Sequence, residues 1–246
     1  MAAISIERLG KTFGSVRALD GLTLTVPEGE LYGLLGPNGA GKTTTMAILT
    51  GQLQPDEGNL SVLGLDPVAD PVGVRERVGI LPEKESPPSF LTPREYFRFV
   101  GTVRDIPETR VEEQIDTWAD RLGFTGVLDT LATDLSRGQQ QKVMIAAAFL
   151  HEPAAVFIDE PLANLDPIVQ ERVKRYLATY RERGNTVVVS THNVEVAAEI
   201  CSTVGIVHEG RLVEEVRPAE MAAETDLLSV FVDQVEGAPT TSPSRP

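Results

Sequence analysis

Nine consecutive residues, Gly36-Pro37-Asn38-Gly39-Ala40-Gly41-Lys42-Thr43-Thr44, carry the spacing G-x-x-x-x-G-K-T. Glycines let successive backbone N–H groups turn toward one point and line a concave anion site. The start of a following helix adds partial positive charge where a phosphate would sit. A lysine at this place reaches the β- and γ-phosphates of a nucleoside triphosphate, and the next hydroxyl, Thr43, ligates Mg²⁺. The context agrees: the apolar run Leu31-Tyr32-Gly33-Leu34-Leu35 comes before, and Thr45-Met46-Ala47-Ile48-Leu49-Thr50 can continue as a helix. A plain glycine turn would need neither.

Two further stretches can carry chemistry. In Ala155-Val156-Phe157-Ile158-Asp159-Glu160-Pro161 an apolar strand runs into two adjacent carboxylates. Placed beside the P-loop strand, Asp159 would hold the Mg²⁺ hydration shell, and Glu160 would orient and deprotonate an attacking water. Without the P-loop, the same residues would read as an acidic turn at a strand end. Leu135-Ser136-Arg137-Gly138-Gln139 is a capping box, with Ser136 as N-cap and Gln139 three residues on. A capped helix start is also an anion site, so the two readings are compatible.

At Leu135-Ser136-Arg137-Gly138-Gln139 the chain resembles the ATP-binding cassette family, whose signature reads L-S-G-G-Q, with Arg137 at the first glycine position. The resemblance runs in order over about residues 4 to 215. Asn164-Leu165-Asp166 looks like the D-loop. His192, in Ser190-Thr191-His192, looks like the switch histidine, and Phe13, in Lys11-Thr12-Phe13-Gly14, like the aromatic that stacks on adenine. A lone histidine at a strand end would read as structural; the place of His192 after Thr186–Ser190 changes that. His151 and His208 lack such context and read as surface residues.

The resemblance implies a site shared between two copies. Gly36, Pro37, Asn38, Gly39, Ala40, Gly41, Lys42, Thr43 and Thr44 would hold ATP, with Thr43, Glu83 and Asp159 on Mg²⁺. Lys42, Glu160 and His192 would be catalytic, His192 touching the γ-phosphate of its own subunit. Ser136 and Gly138, within the signature Leu135 to Gln139, would contact ATP bound by the partner, and Leu165 and Asp166 would lie in the D-loop. Two departures stand out. Glu83 takes the place of a glutamine and adds negative charge beside Asp159 and Glu160, in a Leu81-Pro82-Glu83 variant similar to exporter-type members. Arg137 is larger than glycine.

The implied function is the ATP-hydrolysing subunit of a transporter. It would pair with a second cassette, homologous or identical, and with a separate membrane permease, on the inner face of the cell membrane. Leu91-Thr92-Pro93-Arg94-Glu95-Tyr96-Phe97 and the triple threonine Thr43-Thr44-Thr45 look like those of drug- or ion-efflux ATPases. The alternative is a soluble cassette ATPase serving an assembly scaffold of the iron–sulfur type. One P-loop disfavours the twin-cassette translation factors, and the lack of long coiled coils disfavours the DNA-repair group. Glu160 and His192 argue against a non-hydrolysing half.

The elements that must position these residues alternate between strand and helix. Strands are expected at Ile4–Leu9, Leu22–Val26, Asn59–Leu65, Val78–Leu81, Ala154–Ile158 and Thr186–Ser190, and a hairpin at Val204–Val213 turning at His208-Glu209-Gly210. Helices are expected at Val74–Val78, Thr92–Thr102, Glu108–Leu122, Ser136–Leu150, Pro167–Arg183 and Val194–Ile200, and Gly51 should close the P-loop helix. The fold class is therefore α/β: a P-loop NTPase core with a mainly parallel sheet, an N-terminal antiparallel β subdomain and a helical insertion carrying the signature. Residues 1–236 should form one nucleotide-binding domain with a helical subdomain at about 84–150, and 237–246 a disordered tail.

Composition sets outer bounds. The 246 residues carry 36 acids against 22 bases, a formal charge of −14, which argues against nucleic acid as a partner. An acidic, lysine-poor surface suits a salt-rich cytoplasm. No apolar run reaches membrane-span length and no signal-peptide pattern opens the chain, so a cytoplasmic location is expected. The single cysteine, Cys201, reads as a buried, inert thiol.

Overall fold

The computed structural model describes residues 1–84, 86–222 and 226–237. The chain opens with an antiparallel layer: β1 (Ala2–Phe13), β2 (Val16–Pro27) and, later, β4 (Glu57–Val62), in the order β2-β1-β4. Between them run β3 (Leu31–Leu35) and α1 (Lys42–Leu49). The helix α1 closes through Thr50 and Gly51, the latter at φ 65. The strand expected to continue to Leu65 stops at Val62. Leu63 and Gly64 take φ 49 and 78, and the turn folds Leu65 back to bridge Val62.

Among the described residues the main sheet has six strands, in the order β5-β6-β7-β3-β8-β9. Its members are β5 (Val78–Leu81), β6 (Ala155–Asp159), β7 (Thr186–Thr191), β8 (Thr203–His208) and β9 (Arg211–Val216), with β3 between β7 and β8. All pairs are parallel except the β8–β9 hairpin. Strands β3, β6 and β7 are buried throughout, which is why they read as unbroken apolar runs. The carboxylate strand β6 does not lie beside the P-loop strand as expected: β7 separates them.

Helices cover the sheet. Asp70, not Val74, starts α2 (Pro71–Arg77), its side chain accepting from the Gly73 N–H. Between β5 and β6 come α3 (Pro93–Val103), α4 (Glu108–Leu122) and α5 (Arg137–Phe149), the first and last opened by complete capping boxes at Thr92 and Ser136. Then follow α6 (Pro167–Glu182), α7 (Val194–Ile200) and α8 (Leu227–Glu236). An aromatic cluster joins α4, α5 and α6. Trp118 packs edge-on to Tyr176 at 4.6 Å, and Phe149 meets both Tyr176 and Tyr180 at 5.0 Å. The Arg104 guanidinium, closing α3, donates to the Arg75 carbonyl at 3.1 Å and to Val78 at 3.4 Å, which fixes α3 to the β5 entrance.

Two histidines correct the sequence reading. His151 and His208 are half-buried, not surface residues, and each has a buried Nδ1 without a hydrogen-bond partner. His151 donates through Nε2 to the Val78 carbonyl at 3.1 Å, and burial, aided by Arg104, lowers its pKa to about 4. Cys201 is buried as expected, its thiol pushed far up by desolvation. A Cβ on Gly33 would come within 2.7 Å of its sulfur, so this close approach requires glycine on β3. The expected tail lies almost wholly outside the described residues.

Candidate functional site

Register brings the chemistry to one edge of the sheet. Leu35 ends β3 level with Thr191, and Asp159 ends β6 level with Ser190. The residues that follow each strand therefore emerge together at the carboxyl ends, where open α/β sheets hold ligands. The Glu160 N–H donates to the Ser190 carbonyl at 2.8 Å, and the Gly36 N–H to the Thr191 carbonyl at 3.4 Å.

The P-loop is buttressed from behind. A Cβ at Gly36 would lie 2.3 Å from the Val207 carbonyl oxygen, and one at Gly41 would lie 2.6 Å from that of Ala18. The Gly210 N–H donates to the Ala40 carbonyl at 3.0 Å. Gly39, at φ 83, faces open space. Lys42 is 8 % exposed, and its ammonium donates to the carbonyls of Gly36 at 2.7 Å and Pro37 at 3.0 Å. Desolvation lowers its pKa, opposed by the fields of Glu160, Asp159 and Glu83.

Thr43 and Asp159 meet directly: the Thr43 hydroxyl donates to one Asp159 oxygen at 3.0 Å, and the Ser190 hydroxyl to the other at 2.8 Å. One hydroxyl and one carboxylate beside a phosphate cradle suit Mg²⁺, which keeps waters and phosphate oxygens and needs no all-protein cage. Among the described residues no group of three or more His, Cys, Asp or Glu forms such a cage. Glu83 acts on Lys42 through its charge, but it is exposed, and among the described residues it makes no hydrogen bond to Thr43 or Asp159.

Glu160 is over-determined. Its backbone takes φ 53, a left-handed value unusual for glutamate. Its carboxylate accepts from the Thr191 hydroxyl at 3.0 Å and the His192 N–H at 3.0 Å, and lies 2.6 Å from His192 Nδ1. Thr191, absent from the sequence-derived set, thus helps aim the carboxylate; its place between Ser190 and His192 was the available signal. With Nδ1 donating to Glu160, Nε2 carries a proton only in the imidazolium form.

The other sequence-derived residues lie apart from this cluster. Phe13 ends β1 opposite Val16; both rings and methyls are open to solvent, and the Lys11 ammonium stands 5.6 Å from the Phe13 centroid. Ser136, the N-cap of α5, and Gly138, Gln139 and Leu135 around it make no hydrogen bond to Lys42, Thr43, Asp159, Glu160 or His192 among the described residues. Gly138 instead backs onto the Asn164 carbonyl, 3.0 Å from its would-be Cβ. Asp166 caps α6 through the Val169 N–H and approaches Lys142 of α5 at 3.8 Å, and Leu165 is buried.

Comparison with known proteins agrees with this geometry. Residues 19–163 match the ABC transporter family. The chain is 32 % identical over 222 residues to the probable multidrug ABC transporter ATP-binding protein YbhF of Escherichia coli (strain K12), covering 90 % of this chain but 38 % of that protein. It is 30 % identical over 234 residues to the Nod factor export ATP-binding protein I of Paraburkholderia xenovorans (strain LB400), covering 94 % and 77 %. A solved ATP-binding subunit of an ABC transporter superposes with a TM-score of 0.87 at 26 % identity, over 94 % of this chain and 99 % of that one. A family match spanning both the P-loop and the strand that ends in Asp159, carried on this sheet order, has one meaning: the chain belongs to the ATP-binding proteins of ABC transporters.

Proposed function

We propose that this chain hydrolyses ATP as one of two cassettes driving a membrane exporter. The carrying observation is the cluster at the strand ends, where Thr43 meets Asp159 and Glu160 is clamped between Thr191 and His192. Lys42 would exchange the Gly36 and Pro37 carbonyls for phosphate oxygens. Mg²⁺ on Thr43 and Asp159, with Glu83 near it, would neutralise charge between the β- and γ-phosphates. Glu160 would accept the proton of the attacking water, and His192, protonated, would donate Nε2–H to a γ-phosphate oxygen. Phe13 would stack on the adenine. Residues 1–236 would act as one nucleotide-binding unit, its helical part at about 84–150.

The signature residues support a dimer. Ser136, Arg137 and Gly138 belong to a helix whose N-terminus makes no bond to its own chain's P-loop cluster, so a second copy would complete each site. The name of the Nod factor relative supports export. On α3, Phe99 and Val103 are 57 % and 68 % exposed beside Ile80 and Val100, an apolar groove suited to a permease segment. Among the described residues no helix is long and apolar enough to cross a membrane.

The test is ATP hydrolysis by the purified chain across a range of concentrations. Specific activity should rise with protein concentration and rise again with a co-purifying multi-span membrane protein. Activity per molecule that stays flat would refute the shared site, and recovery of soluble scaffold proteins in place of the membrane protein would refute the exporter.

A further inference from the structure

The end of β1 runs past one of its neighbours. Pairing with β4 stops at Gly10, opposite Glu57, while pairing with β2 goes on through Lys11, Thr12 and Phe13. On the β4 side a side chain takes over from the strand. Asp56, the residue before β4, accepts from the Thr12 N–H through one carboxylate oxygen at 2.7 Å and from the Lys11 ammonium through the other, also at 2.7 Å. Its own N–H donates to the Gly10 carbonyl at 2.9 Å. One residue thus holds Gly10, Lys11 and Thr12 in a row. The Lys11 and Thr12 bonds also hold the Asp56 carboxyl below its ordinary pKa, so the charged form does the holding. The β1–β2 register shifts between Lys11 and Thr12, where a strand bends and twists, and Asp56 braces that bend. Lys11, so anchored, keeps its ammonium 5.6 Å from the centroid of the Phe13 ring, over one face. The ring itself is half exposed.

We propose that Asp56 is the positioning residue of the base platform: by holding Lys11 and Thr12 it sets the Phe13 ring, with the Lys11 ammonium on one face and the other face left for adenine. The inference rests on the nucleotide reading of the P-loop and on Phe13 as the stacking ring. A cation over one face draws ring electron density toward itself, which favours an electron-rich purine on the opposite face. Without Asp56, Lys11 loses its anchor and the end of β1 loses its hold on the β4 side. Among the described residues, neither Asp56 nor Lys11 nor Thr12 makes a hydrogen bond to the loop from Gly36 to Thr44. Asp56 therefore acts on the part of the affinity that comes from the base and leaves the phosphate part alone.

The experiment is a double-mutant cycle on the full chain: Asp56→Ala, Phe13→Ala and both together, with Asp56→Asn beside them. Calorimetry measures the binding of ATP and of inorganic tripolyphosphate, which offers the phosphates without a base. Asp56→Ala should weaken ATP binding about 2- to 5-fold, should leave tripolyphosphate binding unchanged, and should add nothing once Phe13 is Ala. Asp56→Asn keeps an acceptor for the Thr12 N–H and loses the charge that holds Lys11, so it should fall between wild type and Asp56→Ala. Unchanged ATP binding in Asp56→Ala would overturn the proposal. So would equal losses of ATP and tripolyphosphate, or the same loss of ATP with and without the Phe13 ring. A wild-type chain that binds no ATP would overturn the nucleotide reading instead. The hold of Asp56 on β1 would then be decided by backbone hydrogen exchange without nucleotide. Faster exchange at Lys11 to Phe13 in Asp56→Ala, with β3 unchanged, sustains it, and unchanged exchange ends it.

Discussion

Replacing Glu160 by glutamine keeps the side chain's shape and removes its capacity to take a proton. The structure sets what should and should not change. A glutamine oxygen can still accept from the His192 N–H, now 3.0 Å from the carboxylate, and the new NH₂ can donate to the Thr191 oxygen, also at 3.0 Å. The backbone at φ 53 is no harder for glutamine than for glutamate. What is lost locally is charge assistance in a partly exposed network, about 1 kcal/mol, or roughly 2–4 °C in a chain of this size. With Glu160 as the general base proposed above, the chemical loss is about 10²- to 10⁴-fold, or about 3–5 kcal/mol of barrier. Binding should move the other way, because one negative charge leaves the surroundings of Lys42. Phosphate release at saturating ATP and Mg²⁺, ATP affinity and the thermal midpoint, all from the same preparation, separate the three effects. The expected result is a kcat at least about 100-fold lower with affinity equal or tighter. A kcat within about threefold of wild type, at unchanged stability, would refute the assignment of Glu160 as the base.

Three further outcomes follow from the geometry. Gly36→Ala drives a Cβ to 2.3 Å from the Val207 carbonyl, a backbone atom, so it should cost about 1–3 kcal/mol and lower the thermal midpoint by roughly 2–12 °C, together with ATP binding. Phe13→Ala should weaken ATP binding about 2- to 10-fold and leave kcat at saturation unchanged, with Phe13→Tyr near wild type in a titration. His151 has its pKa lowered to about 4 from 6.5, so between those values the unfolded chain binds more protons than the folded one. Its contribution is present above pH 6.5 and is lost as pH falls toward 4, up to about 3 kcal/mol; His151→Gln should flatten that part of the stability–pH curve measured by denaturant unfolding.

The parts of the site carried by consecutive residues were legible. The P-loop, the Asp159-Glu160 pair and the Ser136 cap each lie within a few residues, and local chemistry decides their form. Strand order was not legible, because parallel neighbours come from crossovers rather than from adjacency in sequence. Thus β7 came between β3 and β6, and Asp159 reaches Thr43 from two strands away. The electrostatic setting of His151 depends on the Arg104 charge and its hydrogen bond on the Val78 carbonyl, both distant in sequence. Leu63 ended a strand early by taking a left-handed backbone that its side chain does not announce. Helix α8 was missed although Asp226 caps it and Leu227, Val230 and Phe231 share a spacing that packs on the core.

The support behind the P-loop sets an order on synthesis. The motif is complete once Thr44 has been made, but β3 pairs with β7 and β8, and the loop leans on Val207 and Gly210. A nascent chain released before β8 carries every letter of the motif and lacks the wall that shapes it. If the loop binds phosphate as proposed, that binding requires residue 210 to have been made, and a shorter nascent chain should be unable to draw on the ATP pool.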